Sequence, residues 1–149
     1  MKKILLVICC FFCFQTANTQ DFIKENKYAG EPLFDFIVDW WGTKYRYGGS
    51  SKKGIDCSAF TSKLAKEVYG VSLPRTASQQ YKQAKRIPKE ELKDGDLVFF
   101  RTGTRSGWHV GVYITEGWFV HSSSNGGVKF NNLKEKTYSK RYYGSGRIL

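Results

Sequence analysis

Cysteine is scarce in this chain beyond its first residues, which excludes a fold held together by internal disulfides. Three of the four cysteines, Cys9, Cys10 and Cys13, lie at the start of the chain, and Cys57 stands alone in the remainder. If the first segment is removed, a chain with one thiol forms no internal disulfide. Cys57 is therefore a reactive group, a site for pairing between chains, or an inert buried side chain.

The sequence also lacks an apolar run long enough to cross a membrane as a helix. The longest run, residues 4–14, falls short of the roughly 20 residues that such a helix needs. It follows Lys2 and Lys3 and precedes a polar stretch with small residues, a pattern typical of a secretory signal peptide. We expect a leader over residues 1–19, cleaved after Thr19, and one domain over residues 20–149. Lipid anchoring is not favoured, because no leader cysteine follows a small residue.

Acidic residues are few, with 13 Asp and Glu against 24 Lys and Arg. Loss of Lys2 and Lys3 with the leader lowers the formal net charge from +11 to +9. A basic surface suits nucleic acid, anionic lipid or an anionic cell wall, or it simply keeps the protein in solution. Export makes nucleic acid a poor partner, and the cell wall is the better acidic candidate. The sequence shows no sign of an oligomer, and we favour a monomer.

Helical patterns come first along the chain. Apolar spacing predicts a helix over residues 32–41, another that begins at Cys57 with Asp56 as its cap and stops at Gly70, and a short third over residues 77–85 with Thr76 as its cap. Period-two patterns then predict strands over residues 97–101, 109–115, 118–122, 128–131 and near 143–148. Helices followed by strands indicate an α+β fold with helices packed on an antiparallel sheet.

The register of the second and third strands determines where the two histidines lie. A three-residue loop over residues 115–117 pairs Ile114 with Trp118 and Gly111 with His121, and it collects the branched and aromatic residues on one face. We prefer this loop to a two-residue turn. It predicts that His109 and His121 share the other face as diagonal neighbours within side-chain reach, with space beside Gly111.

The position of Cys57 at a helix start suits a nucleophile. Unpaired N–H groups and the positive end of the helix dipole favour a thiolate there, and the N–H of Cys57 is placed to stabilise an oxyanion. His109 is a candidate base and acid, and His121 a candidate for orienting the imidazole of His109. Tyr45 adds a possible hydroxyl donor from the preceding loop.

Other interpretations of the same residues remain open. Cys57 is alternatively a small buried hydrophobe, or a zinc ligand together with His109 and His121. Asp56 is equally well explained as a helix cap, and Arg75 as a surface charge.

Several segments together resemble the NlpC family of papain-like cell-wall peptidases, and within it the Spr-type murein endopeptidases. They are Tyr45-Arg46-Tyr47-Gly48-Gly49, Gly54-Ile55-Asp56-Cys57-Ser58-Ala59-Phe60, Leu73-Pro74-Arg75-Thr76, Gly95-Asp96-Leu97-Val98-Phe99-Phe100, His109-Val110-Gly111-Val112-Tyr113-Ile114 and Phe119-Val120-His121. The resemblance implies a minimal papain-like α+β fold with no cofactor and no metal. Alanine stands at position 59, where the common family pattern has glycine, but alanine also occurs in Spr-type members.

The resemblance also implies roles for individual residues. It places the nucleophile at Cys57, the base at His109 and the third polar residue at His121. Tyr45 is implied to contact the substrate or the oxyanion. Asp56 and Ser58 are expected to line the groove. Arg75 is expected to contact a carboxylate, because a planar guanidinium pairs well with that group.

The implied activity is hydrolysis of peptide bonds in peptidoglycan stem peptides through a thioester. Spr-type similarity favours the D-alanyl–diaminopimelate cross-link. The alternatives are the γ-D-glutamyl–diaminopimelate bond, L,D-carboxypeptidase trimming, or a wall-binding protein that has lost catalysis. Peptidoglycan stem peptides are the expected partner in each case, at a periplasmic or extracellular location associated with the cell wall.

Overall fold

The computed structural model of the protein describes residues 30–103 and 107–149. The predicted leader over residues 1–19 lies outside the described residues. Within the described part of the chain, no helix is both long enough and apolar enough to cross a membrane.

The first helix, α1 (Pro32–Trp40), begins at a proline. Proline suits this position because the first turn of a helix leaves its N–H groups unpaired. The helix stops before Gly42, whose φ of +70° a residue with a side chain adopts only at a cost. Its buried residues face the core: Leu33, Phe34, Phe36, Ile37 and Trp40. Helix α1 is one residue shorter than predicted.

A short hairpin leads into the central helix. Strands β1 (Ser50–Ser51) and β2 (Gly54–Ile55) pair in antiparallel fashion, and helix α2 (Cys57–Tyr69) follows directly. The Asp56 side chain accepts a hydrogen bond from the Ala59 N–H at 2.8 Å, and Gly70 ends the helix in the left-handed conformation. The predicted cap and stop of α2 are therefore confirmed, whereas the hairpin was not predicted.

Helix α3 (Ala77–Gln83) is capped by Thr76 as predicted but ends two residues early. The chain then turns into an edge strand, β3 (Lys85–Ile87), and a 3₁₀ turn (Lys89–Glu91). Neither element was predicted, because three residues carry too little periodicity to reveal a strand.

The remaining strands build one sheet. These are β4 (Leu97–Arg101), β5 (Trp108–Thr115), β6 (Trp118–Ser123), β7 (Gly127–Asn132) and β8 (Tyr142–Arg147), with helix α4 (Lys136–Arg141) between the last two. The order across the sheet is β3-β8-β4-β5-β6-β7, and every neighbouring pair is antiparallel. The predicted α+β fold is confirmed, and α4 is an addition to it.

The pairing of β5 with β6 confirms the predicted register within the strands and corrects the predicted length of the turn between them. Val112 pairs with Val120 and Tyr113 with Phe119, as expected. Thr115, however, pairs with Trp118, so the turn has two residues rather than three. Glu116 and Gly117 both have positive φ, as the favoured two-residue hairpin turns require. An irregularity between Tyr113 and Thr115 absorbs the extra residue, which keeps both histidines on one face.

Both faces of the sheet are covered. The larger core lies between the sheet and helices α1 and α2, and it contains Val110, Val112, Ile114 and Val120 as predicted. A smaller cluster on the other face contains Val98, Phe100, Phe119 and Leu133, with Tyr138 of α4 packed against it. The histidines therefore share their face with a second apolar cluster rather than with solvent alone.

Candidate active site

The chain that leads to Cys57 is tied down at several points. The Asp56 N–H donates to the Gly49 carbonyl at 3.1 Å, and the Ser122 hydroxyl of β6 donates to the Ile55 carbonyl at 2.8 Å. Cys57 is then the first residue of α2, with 7% of its surface exposed. These bonds hold the start of α2 against the sheet.

The thiol lies beside β5, near the point where the regular pairing of β5 with β6 ends. Regular pairing of these strands reaches Val112 and Val120 and does not continue toward the start of β5. The backbone N–H of Val110 lowers the pKa of the thiol, which places the sulfur near the residue that follows His109. The start of α2, on the core side of the sheet, therefore meets β5 one residue from His109.

His109 and His121 are in direct contact, as predicted. The distance from His109 Nε2 to His121 Nδ1 is 2.6 Å, and the rings meet edge to face. A Cβ atom on Gly111 would lie 2.7 Å from Phe119 Cδ2 and 3.2 Å from His121 Cβ. Glycine at position 111 thus provides the space for the His121 side chain, which is 1% exposed.

Burial favours the uncharged forms of all three groups. It raises the pKa of the Cys57 thiol to about 11, and the charge of Asp56 adds to this rise against hydrogen bonds from backbone N–H groups. Burial lowers the pKa of His109 to about 4. The pKa of His121 is lowered first by burial and then by the positive charges of His109 and Lys129. Without substrate at neutral pH, the site thus holds a neutral thiol beside two neutral imidazoles.

A charged network supports the other side of the thiol. The Arg75 guanidinium donates to both Asp56 oxygens, at 3.0 and 2.6 Å, and to the Ser58 hydroxyl at 3.1 Å. The Gly48 N–H donates to the same carboxylate at 3.0 Å. Burial alone raises the pKa of Asp56, but hydrogen bonds from Arg75 and the Ala59 N–H outweigh it and lower that pKa below its usual range. The carboxylate that Arg75 contacts is therefore one of the protein's own.

A groove of about 440 Å³ opens over the thiol. We call it the thiol groove, and its lining includes Cys57, Tyr45, Tyr47, Asp56, Ser58, Arg75 and Trp108. The pKa of Tyr45 is raised by burial first and then by the negative charge that Cys57 carries when deprotonated, which places its ring near the sulfur. All the predicted groove residues thus meet around Cys57.

The histidines line a second cavity of about 360 Å³. Its other lining residues include Asn131 of β7, Glu135 directly before α4, and Tyr138 of α4. His121 Nε2 lies 2.9 Å from Asn131 Oδ1. Both ring nitrogens of His121 are therefore engaged, which leaves none to bind a zinc ion. Among residues 30–103 and 107–149, no three His, Cys, Asp or Glu side chains are grouped as metal ligands.

Sequence reasoning missed the residues around His121. Asn131 was predicted only as the end of a strand. A signal for it existed, since the turn after β6 sets a register that pairs Phe119 with Asn131 and places Asn131 near His121. No comparable signal marked Glu135 or Tyr138, because their positions depend on the unpredicted helix α4.

Comparison with known proteins gives a consistent result. The model of the NlpC/P60 family matches residues 42–147. The Escherichia coli protein named murein DD-endopeptidase MepS/murein LD-carboxypeptidase is 43% identical over 117 residues, which are 78% of this chain and 62% of that protein. The chain thus spans about three fifths of the length of that relative. A Haemophilus influenzae protein named probable endopeptidase is 34% identical over 99% of this chain and 98% of its own length.

Solved structures share the fold. A crystal structure of an NlpC/P60 family protein from Bacillus cereus matches with a TM-score of 0.71 and 30% identity, and it covers 79% of this chain and 39% of that one. The NlpC/P60 domain of the peptidoglycan hydrolase SagA matches with a TM-score of 0.65 and 24% identity, over 78% of this chain and 96% of that one. The second likeness bears on the fold alone.

Proposed function

The chain belongs to the NlpC/P60 family, and on that premise we propose that it is a cysteine peptidase that hydrolyses peptide bonds in peptidoglycan stem peptides. One observation carries the proposal. The free thiol of Cys57 at the start of α2 lies beside the strand that bears His109, and the His109 ring contacts His121 at 2.6 Å. This arrangement supports the assignment of Cys57 as nucleophile, His109 as base and His121 as the group that orients the base.

The reaction begins with transfer of the thiol proton to His109 as the sulfur attacks the scissile carbonyl carbon. His109 then returns that proton to the leaving amine as the C–N bond breaks, which leaves a thioester on Cys57. Water attacks the thioester, its proton passes through His109, and the acid product and free thiol are released. The reaction starts from a neutral thiol and a neutral imidazole, in agreement with the directions of their pKa shifts.

The oxyanion of the tetrahedral intermediate forms next to Cys57. We assign its stabilisation to the backbone N–H of Cys57 and to the hydroxyl of Tyr45, whose ring lines the thiol groove. In this assignment Asp56, Ser58 and Arg75 contribute a rigid polar wall. Arg75 keeps N–H groups on the groove side, since about half of its side chain is exposed. The expected contact of Arg75 with a substrate carboxylate remains a prediction.

We propose the D-alanyl–diaminopimelate cross-link as the scissile bond. Support comes from relatives named murein DD-endopeptidase, MepS and MepH of Escherichia coli, at 43% and 40% identity. L,D-carboxypeptidase activity is the second candidate, because the name of MepS includes it. Either substrate lies outside the cytoplasmic membrane and therefore requires export of the enzyme. We therefore propose that residues 1–19 act as a leader and that the enzyme works at the cell wall.

Purified cross-linked muropeptides provide the direct test. The protein and its Cys57→Ala variant are incubated with them, and the products are identified by mass spectrometry. Loss of dimers and gain of monomers with the unaltered protein alone is the expected result. Tetrapeptide stems shortened to tripeptides, with dimers intact, would transfer the assignment to L,D-carboxypeptidase activity. Equal activity of both proteins, or none in either, would overturn Cys57 as the nucleophile on this substrate.

A further inference from the structure

A hydrogen-bond chain runs from the histidine pair to the surface through residues without an assigned role. His121 Nε2 lies 2.9 Å from Asn131 Oδ1, and Asn131 Nδ2 donates to the two Glu135 oxygens at 3.1 and 2.8 Å. The Tyr138 hydroxyl donates to Asn131 Oδ1 at 3.1 Å. Glu135 also accepts from the Asn132 N–H at 2.6 Å, which anchors its carboxylate to the end of β7.

The chemistry of Glu135 determines which way the Asn131 amide faces. An ionised carboxylate only accepts hydrogen bonds, so the group that faces Glu135 must be the NH₂ of Asn131. The amide oxygen must then face His121 and Tyr138. An amide oxygen also only accepts, so the proton between Asn131 and His121 belongs to His121 Nε2.

The tautomer of His121 in turn determines the tautomer of His109. A neutral imidazole carries one N–H, so a proton on His121 Nε2 leaves His121 Nδ1 bare. The 2.6 Å contact then requires the proton on His109 Nε2. His109 Nδ1 is consequently the unprotonated nitrogen, and it lies on the side of the ring away from His121. Burial of His121 at 1% exposure makes the opposite arrangement costly, because the bare His121 Nε2 would then face the Asn131 amide oxygen at 2.9 Å, two acceptors with no proton between them.

We propose that Asn131 and Glu135 are positioning residues that set the tautomers of His121 and His109 and so leave His109 Nδ1 free to take the thiol proton. The catalytic consequence of these tautomers rests on the proposed function. The tautomers themselves do not depend on any substrate. Asn131 acts through its amide oxygen, and Glu135 acts by fixing the orientation of that amide. Neither residue touches the thiol groove.

The first test is spectroscopic and uses the unaltered protein at neutral pH. Long-range ¹⁵N–¹H NMR spectra of histidine-labelled protein distinguish a bare ring nitrogen from one that carries a proton. Both His109 and His121 are expected as Nε2–H tautomers. An Nδ1–H tautomer at either histidine would overturn the proposal, whatever the enzyme proves to cleave.

The second test is kinetic. Asn131→Leu removes the acceptor for His121 with little change in volume. We expect kcat to fall about 10- to 100-fold with KM within about 2-fold, and an Nδ1–H form of His121 to appear in the spectrum. A merely structural role would move the melting temperature without changing the tautomer. Unchanged kcat and unchanged tautomers would contradict the proposal.

Variants of Glu135 provide the second, independent perturbation. Glu135→Gln keeps an oxygen that accepts from the Asn131 amide, and it is expected to retain kcat within about 3-fold. Glu135→Ala removes the acceptor and is expected to lower kcat about 10-fold. Glu67→Ala, on the exposed surface of α2, is the matched control and should leave kcat unchanged. Equal losses in Glu135→Ala and Glu67→Ala, or a Glu135→Gln variant as poor as Glu135→Ala, would refute the role of Glu135.

Discussion

The two sides of the candidate active site are held in different ways. The thiol side is supported by charge: a half-exposed guanidinium pairs with a carboxylate that also caps α2. The imidazole side is supported by burial and neutral hydrogen bonds, and no charged group contacts His121 directly at hydrogen-bond distance in the described chain. A rigid wall thus faces a base whose proton affinity is lowered. Five predictions examine this contrast.

The largest effect is expected at the base. His109→Asn removes the group that takes and returns the proton, and it should lower kcat/KM about 10²- to 10⁴-fold. Hydrolysis of muropeptides measures the loss, and circular dichroism establishes that the fold is retained. A variant that keeps more than about a tenth of the activity would show that another group acts as the base.

A stability effect is expected on the charged side. Arg75→Met leaves the 7% exposed Asp56 without its charged partner and should lower the free energy of unfolding by about 2–4 kcal/mol at neutral pH. Urea denaturation measures it, with the exposed Lys53→Met as the control. The folded-state pKa of Asp56 is lowered, so its contribution is present above the ordinary pKa near 4 and is lost as pH falls through the lowered value. The difference between the two proteins should therefore shrink in acid. If the difference in free energy of unfolding did not change with pH, the effect would not arise from the Asp56 carboxylate.

A smaller effect is expected where the sheet makes room for His121. Gly111→Ala places a methyl group 2.7 Å from Phe119 Cδ2 and 3.0 Å from the Val120 carbonyl oxygen. The free energy of unfolding should fall by about 1–3 kcal/mol, and kcat should fall with it. Gly144→Ala is the matched control, because its new methyl group would come no nearer than 3.4 Å, to Tyr81 Cε2. Equal stabilities of the two variants would disprove the close contact.

The smallest effect is expected from pH across the neutral range. The pKa of His109 is about 4 and that of Cys57 is about 11. At any pH between these values, the Cys57 thiol keeps its proton and the His109 imidazole is neutral. The value of kcat/KM should therefore rise through about pH 4 and stay level to alkaline pH. An acid limb near 6.5, the ordinary pKa of histidine, would contradict a neutral base with a lowered pKa.

Acid should also destabilise the fold, and this is the control for the pH profile. A folded-state pKa of about 4 for His109 lies below the unfolded value near 6.5, so the unfolded chain binds more protons between them. Stability contributed by neutral His109 is present above about 6.5 and is lost as pH falls toward 4. Unfolding curves at each pH separate this loss from a change in catalysis.

The groove residues were all predictable as a group, but their contacts were not. The pattern around Asp56 and Cys57 predicts a cap and a helix start, because both depend on residues within one turn. Arg75 was expected to bind a carboxylate, and the carboxylate it contacts is that of Asp56, 19 positions earlier in the chain. The pairing partner depends on how α2 and the segment before α3 pack together, which periodicity does not report.

The sequence by itself determined the cap and stop of α2, the strands β4 to β8 to within two residues, and the shared face of His109 and His121. These features follow from local hydrogen bonding and from the period-two alternation of side chains. Only the tertiary structure decided where the regular pairing of β5 with β6 ends, the two-residue turn with its irregularity, and the placement of Asn131 and Glu135 behind His121. These depend on packing between segments distant in the chain, where the space left by one element selects the conformation of another.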